Sequence, residues 1–316
     1  MGTTGKRWEM SFTWLYRPNS WHTALWWLTL AALGFIWLLV SAHGSLGGPS
    51  ARPDPFSALQ QRLVGDGFDK ALVQAIYSRP EVSFDREGVM AYSSHREATL
   101  NYDQFLAPSS IDHAIDYANK YRNVLLETQM QYGVEGEVIT AILLVESRLG
   151  TFIGKHRVIN TLSSLAVLDE AGKREMLWQD HVKDQVWESR EEFDRWASRK
   201  SRWAYRELKA YLEYVGAQNL DPFSAHGSYA GALGFAQFVP SSVLKFGRDG
   251  NEDGQVNLYE HDDAIESVAN YLKEHGWRPG LDRDEAFRIL LSYNHSTYYA
   301  DTILKVAERL TKLRPR

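Results

Sequence analysis

Apolar residues follow two different regimes along this chain. From Trp21 to Val40 (WHTALWWLTLAALGFIWLLV) they run almost unbroken, without one Asp, Glu, Lys or Arg. As a helix that run is about 30 Å long, the thickness of a bilayer's hydrocarbon core. The uncharged stretch extends from Pro18 to Ala51. From about Phe56 onward the spacing turns to threes and fours, and period-two alternation is scarce, so the chain reads as mainly α. Helices are predicted over Phe56–Tyr77, interrupted by Gly65 and Gly67, and from an N-cap at Ser110 through Tyr117, Tyr121 and Leu125 to Gly133. Glu135–Leu149 is the most apolar helix after the first. Ser241–Phe246, Asp262–His275, Asp284–Ser292 and Tyr299–Leu313 complete the set. Asp169–Tyr214 is dense in both charges, and Trp178, Trp187, Phe193, Trp196 and Trp203 recur at helical intervals. That pattern predicts two exposed amphipathic helices. No internal repeat is found.

Charge orients the first helix. Lys6, Arg7 and Arg17 precede it against one Glu9, and Arg52 and Asp54 follow it. The positive-inside rule then predicts a cytoplasmic N-terminus at 1–20, an uncleaved anchor at 21–42 and everything later on the far side. A signal peptide cut after Ala42 is the alternative, although its apolar core is usually shorter. His43–Ser57 is rich in Pro, Gly and Ser and reads as a linker, 43–57. A single domain is expected over 58–316, with 170–213 as a charged helical insertion.

Composition narrows the chemistry. Net charge is −5, spread along the chain, so nucleic acid is not an expected partner. There is no cysteine, which excludes disulfides, thiolate metal sites and a lipoprotein anchor. The chain carries 11 Trp, 16 Tyr and 13 Phe, and such rings suit sugar faces as well as cores.

Four segments carry candidate chemistry. In Ile139–Gly150, Ile142 and Leu143 lie one turn below Glu146, so its carboxyl group sits on an apolar face. Partial burial raises a carboxyl pKa, which a general acid for a glycosidic oxygen needs. A buried Glu paired with Arg148 is the alternative. In Gly227–Pro240, Gly231, Gly234 and Gln237 recur every three residues, on roughly one side of a helix. Something is expected to pack on that bare strip, either another helix or a ligand. Ser292–Tyr299 crowds polar and aromatic residues at a helix boundary. In Asp249–Glu260, oxygens fall at positions 1, 3, 5, 9 and 12 with Gly254 at 6, the pattern of an EF-hand calcium loop. Candidate ligands are Asp249, Asn251, Asp253, Gln255 and Glu260, with Asp263 competing to close the site (249–263). An Asp/Asn/Gly turn is the alternative.

Together and in this order, VESRLG with Glu146, GSYAGALGFAQFVPSS (227–242), DGNEDGQVNLYEHDDAIESVANYLKEHGW (249–277) and SYN (292–294) resemble the membrane-bound lytic transglycosylase B family. The likeness runs from about Tyr102 to Leu313. It implies a lysozyme-like helical domain with a structural calcium ion and no organic cofactor. It further implies cleavage of the β-1,4 bond between N-acetylmuramic acid and N-acetylglucosamine without water, leaving 1,6-anhydro ends. Glu146 is then the catalytic residue. Ser228, Gln237, Tyr271, Tyr293, Asn294, Tyr299 and Tyr102 match groove and support positions, with Ser147 beside the carboxylate. The implied partners are peptidoglycan glycan strands, the inner membrane through the N-terminal helix, and unnamed cell-wall machinery. The implied location is an inner-membrane anchor with the catalytic domain in the periplasm. The sequence departs from the family at Ser164–Asp169, where an aromatic-rich segment is usual. Retaining and inverting glycosidases normally use two carboxylates. Only Glu146 sits in a recognisable catalytic segment, so the substrate's N-acetyl oxygen is expected to assist. A hydrolytic muramidase, or an inactive peptidoglycan-binding protein, is the alternative.

Overall fold

The computed structural model describes residues 54–95, 100–184 and 187–313. The expected segments 1–20 and 21–42, and residues 43–53 of the linker, lie outside them. Among the described residues no helix is long and apolar enough to cross a membrane.

The folded chain begins before the expected boundary at 58. Phe56 is fully buried and meets Tyr77 edge-on at 5.6 Å. Helices α1 (Ser57–Gly65) and α2 (Lys70–Tyr77) follow, broken where the glycines predicted a break. After α3 (Arg86–Ser94) and a 3-10 turn at Tyr102–Leu106, α4 runs over Pro108–Lys120. Ser110 is not its N-cap. Proline at the first helical position starts the helix three residues earlier, and the Ser110 hydroxyl donates to the Gln104 carbonyl at 2.7 Å. The expected single helix also breaks at Tyr121, so that α5 (Arg122–Tyr132) is separate and ends on left-handed Gly133.

The central element is α6 (Gly136–Ser147). Every residue from Val138 to Leu144 is buried, and α4, α5, α11 and α13 surround it. It is hydrophobic all round because it is packed all round. A second group forms where α7 (Val158–Ala166) packs along α9 (Arg190–Ala217), beside α8 (Ala171–Asp184). Segment 170–213 is therefore helical and amphipathic as expected, and α9 packs one face inward along α7. Its aromatic stripe buries Phe193, Trp196, Tyr205 and Tyr211, and its polar outer face alone meets water. Buried Glu207 on this helix accepts the Ser241 backbone N–H (2.9 Å) and hydroxyl (3.0 Å), capping α10 (Pro240–Phe246). The remaining helices are α11 (His261–Glu274), α12 (Arg283–Tyr293) and α13 (Thr297–Leu313). A two-residue antiparallel ladder pairs β1 (His156–Arg157) with β2 (His226–Gly227) and fixes the start of the 227–239 segment against the end of α6's outgoing loop.

Candidate active site

Glu146 occupies the last turn of α6, half-buried, above the buried Ile142 and Leu143. The helix ends abruptly there. Arg148, Leu149 and Gly150 are successively left-handed, with φ of 49°, 61° and 89°. Two such non-glycine residues in a row are strained, and strain of this kind concentrates at functional sites. Ser147 fastens the turn. Its hydroxyl donates to the Leu143 carbonyl (3.2 Å) and accepts the Gly150 N–H (3.0 Å), while its carbonyl accepts Phe152 N–H at 2.8 Å. At 1% exposure it faces inward, so Ser147 is not the substrate contact expected; burial commits its hydroxyl to the backbone.

One wall above Glu146 is the 227–239 segment. It is a series of tight turns with isolated bridges Gly227–Leu233 and Leu233–Phe238, and not a helix. Gly231 (φ 77°), Gly234 (φ 72°) and Gln237 (φ 48°) are left-handed, which no right-handed helix allows. Packing against the bare backbone is real, but protein supplies it. A Cβ on Gly231 would meet Leu162 Cδ2 at 2.5 Å, and one on Gly234 would meet Leu258 Cβ at 2.3 Å. The Ser228 hydroxyl accepts the Ala230 and Ala232 N–H groups, each at 3.2 Å, which leaves its proton to donate elsewhere. Gln237 directs its amide nitrogen to the carbonyls of Gly234 (2.8 Å) and Ile153 (3.3 Å), so its oxygen is the end available to a ligand.

The facing wall comes from the Tyr102 turn and from Asn294 and Tyr299. These groups enclose a cleft of about 730 Å³ with Glu146 at its floor. Tyr102, Ser228, Gln237, Asn294 and Tyr299 all line it. Among the described lining residues Glu146 is the sole carboxylate. The Tyr299 hydroxyl is buried without a hydrogen-bond partner of good geometry. Burial raises its pKa well above the usual value, and the Glu146 charge raises it further. Tyr299 is therefore a protonated phenol held against the carboxylate.

Tyr293 and Tyr271 stand behind the cleft and do not line it. Tyr293 Oη donates to the Ala236 carbonyl (2.7 Å), and Tyr271 Oη donates to the Ser292 carbonyl (2.6 Å). Their rings continue an aromatic column, with Tyr293 stacked on Tyr299 at 6.1 Å and Tyr271 on His275 at 4.1 Å. They tie the end of α12 to the 227–239 turns because each ring is packed on both sides and each hydroxyl finds a carbonyl. Tyr293 is partly buried, and burial together with the Glu146 charge raises its pKa well above the usual value, so it lies close to the carboxylate; Tyr271 is buried behind it.

The sequence reasoning missed part of the lining: Tyr92, His95, Phe105, Arg148, Phe152 and Tyr229. Tyr229 Oη pairs with His95 Nδ1 at 2.9 Å, and the Tyr229 ring lies 5.8 Å from that of Tyr92. These contacts cross well over 100 positions of sequence and leave no local periodicity. Phe152 had a signal, an aromatic directly after the turn that ends the catalytic helix; it is 68% exposed at the cleft mouth.

Loop 249–260 folds as a turn held by its own Asp and Asn side chains. Asp249 accepts the N–H groups of Asp253 (3.1 Å) and Gly254 (2.7 Å), and Asp253 accepts that of Gln255 (2.8 Å). Asn251 Nδ2 reaches Glu260 at 2.5 Å and Asp253 at 3.5 Å. Asp263 is not a competing ligand. It is fully buried, its two oxygens accept Gly250 N–H (2.8 Å) and Asn257 N–H (2.6 Å), and desolvation raises its pKa. Its work is to staple both ends of the loop. Among the described residues no three His, Asp or Glu side chains converge tightly enough to hold a metal by themselves. The donor set is nonetheless all oxygen, as calcium prefers, and the Asn251 amide lies between two carboxylates where a cation would be attracted. The residues fit calcium; Asp249, Asn251, Asp253 and Glu260 would hold it with the Gln255 carbonyl.

The sequence profile of the Transglycosylase SLT domain matches residues 53–285. The chain belongs to this family. It is 29% identical over 247 residues to the membrane-bound lytic murein transglycosylase B of Escherichia coli K12, covering 74% of this chain and 61% of that relative. It therefore spans less than two thirds of that relative's length. In three dimensions it is similar to the Escherichia coli lytic transglycosylase Slt35 in complex with calcium, with TM-score 0.67, 23% identity, and coverage of 83% of this chain and 94% of that one. It is also similar to Pseudomonas aeruginosa SltB3 in complex with NAG-anhNAM-pentapeptide, with TM-score 0.64, 21% identity, and coverage of 80% and 78%. These likenesses establish the mainly helical fold of this family.

Proposed function

We propose that the chain is a peptidoglycan lytic transglycosylase. The observation that carries this is Glu146, the one carboxyl group among the described residues that line the cleft, where the other polar groups are amides, hydroxyls, the His95 imidazole and the Arg148 guanidinium. A hydrolase of the two-carboxylate kind needs a second carboxylate, about 5–9.5 Å away, to attack or to activate water. Here Glu146 protonates the oxygen leaving C1 of the muramoyl unit. The substrate's own N-acetyl oxygen stabilises C1 as that bond breaks. The carboxylate then takes the proton of the muramoyl 6-hydroxyl, which closes on C1 and leaves a 1,6-anhydro ring. Ser228, Gln237 and Asn294 orient the N-acetyl groups with one donor or acceptor each. Protonated Tyr299 offers its hydroxyl to the ionised Glu146 between the two steps. Mass analysis of fragments from digested sacculi tests this: anhydro ends are expected, and reducing ends indicate hydrolysis.

Calcium in loop 249–260 is part of the proposal. The Slt35 complex supports it, as does the oxygen-only donor set. The loop's outgoing residues brace the site: Phe235 N–H donates to the Leu258 carbonyl (2.7 Å), and Tyr259 Oη donates to that of His226 (2.6 Å). The ion's part is to stiffen that brace. The uncharged run 21–40 and its basic flank support an inner-membrane anchor that places this domain in the periplasm, in keeping with the membrane-bound name of the relative.

A further inference from the structure

A second cavity of about 660 Å³ opens beside the first and shares three of its lining residues, Gln104, Phe105 and Arg148. The cleft thus forks, and Arg148 stands in the crotch, two residues from Glu146. Its guanidinium donates to the neutral Gln104 amide oxygen at 2.8 Å. Among the described residues no carboxylate pairs with it. Among the described residues no acid lines the second cavity; besides Gln104 and Arg148, its polar walls are Ser109, Ser110, His113 and Thr151. Arg148 holds this place in a left-handed conformation (φ 49°) that glycine or asparagine adopts at less cost. An exposed cation in a strained position, with no acidic partner among the described residues and next to the reacting carboxyl group, points to an anionic group on the ligand.

We propose that the second cavity receives the peptide branch of the muramoyl unit, and that Arg148 binds a carboxylate of that peptide. The inference rests on the peptidoglycan reading above. The branch leaves the same sugar ring whose C1 reacts at Glu146, so it must depart close to that residue, and the fork lies there. Described cavity walls that carry Arg148 and no acid suit an acidic peptide.

Binding tests this without requiring turnover. The probes are a NAG-NAM disaccharide with and without its pentapeptide, titrated by calorimetry into wild type, Arg148→Gln and Arg148→Gly. Loss of a charge-assisted hydrogen bond corresponds to about tenfold or more in affinity. In wild type the peptide should tighten binding by at least that factor. In both variants the ratio should fall towards one. Glycine relieves the strained φ, so the Arg148→Gly melting temperature should hold or rise, and its loss of preference is then not a folding defect. A wild type indifferent to the peptide, or variants that retain the ratio, would overturn the proposal. Digestion of sacculi by the same wild-type protein reports separately on the enzymatic reading. Active protein with no peptide preference sinks only the Arg148 assignment.

Discussion

Gly234 is the position where a single methyl group should do most damage. Alanine there meets two obstacles. The left-handed conformation at φ 72° costs an L-residue about 1–2 kcal/mol. The new Cβ would also lie 2.3 Å from Leu258 Cβ and 2.6 Å from the Leu258 carbonyl oxygen. That carbonyl cannot retreat freely, because it accepts the Phe235 N–H at 2.7 Å. Overpacking of this kind adds about 1–3 kcal/mol. The sum of about 2–5 kcal/mol corresponds to a fall in Tm of roughly 4–20 °C for a domain of this size. Gly216→Ala is the control. That glycine lies in the last turn of α9 with nothing within 4 Å of the added Cβ, so helix propensity should raise stability by about 0.5–1 kcal/mol. Calorimetric melting of the two variants beside wild type is the assay. If Gly234→Ala melts within 2 °C of wild type, the segment is not the left-handed turn described, and the placement of Gln237 fails with it.

Two further outcomes follow from the site. Glu146→Gln keeps the shape and removes the proton, so glycan cleavage should fall by at least ~10²–10⁴-fold with Tm unchanged; residual turnover within tenfold of wild type contradicts the assignment. Calcium at a hundredfold excess over its Kd should stabilise by about 2.7 kcal/mol, whereas magnesium, which keeps its waters, should do little. Asp249→Ala with Asp253→Ala should abolish that shift, and an undiminished shift in the double variant places the ion elsewhere.

What could be read from the sequence was what is local. Glu146 sits on an apolar helix because Ile142 and Leu143 are one turn away, and loop 249–260 folds by its own Asp, Asn and Gly spacing. Errors arose where the long-range environment decides. Glycines at 231 and 234 mimic a helical period, yet their spacing answers to Leu162 and Leu258, which press on the backbone from distant segments. The aromatic spacing of 170–213 predicted amphipathic helices, but composition does not reveal that the apolar face of α9 lies on α7. Tyr271 and Ser147 look like ligand contacts by type and position, and only burial shows that their hydroxyls are committed to Ser292 and Leu143. The fork at Arg148 was invisible, since the second cavity depends on where α4 lies.

The central claim is that one carboxylate performs cleavage without water. Digestion of purified sacculi in ¹⁸O-enriched water, followed by mass spectrometry of the new muramoyl ends, tests it most directly. The account predicts 1,6-anhydro ends carrying no ¹⁸O. Reducing ends that each gain one ¹⁸O atom would contradict it and assign the cleft to a hydrolase.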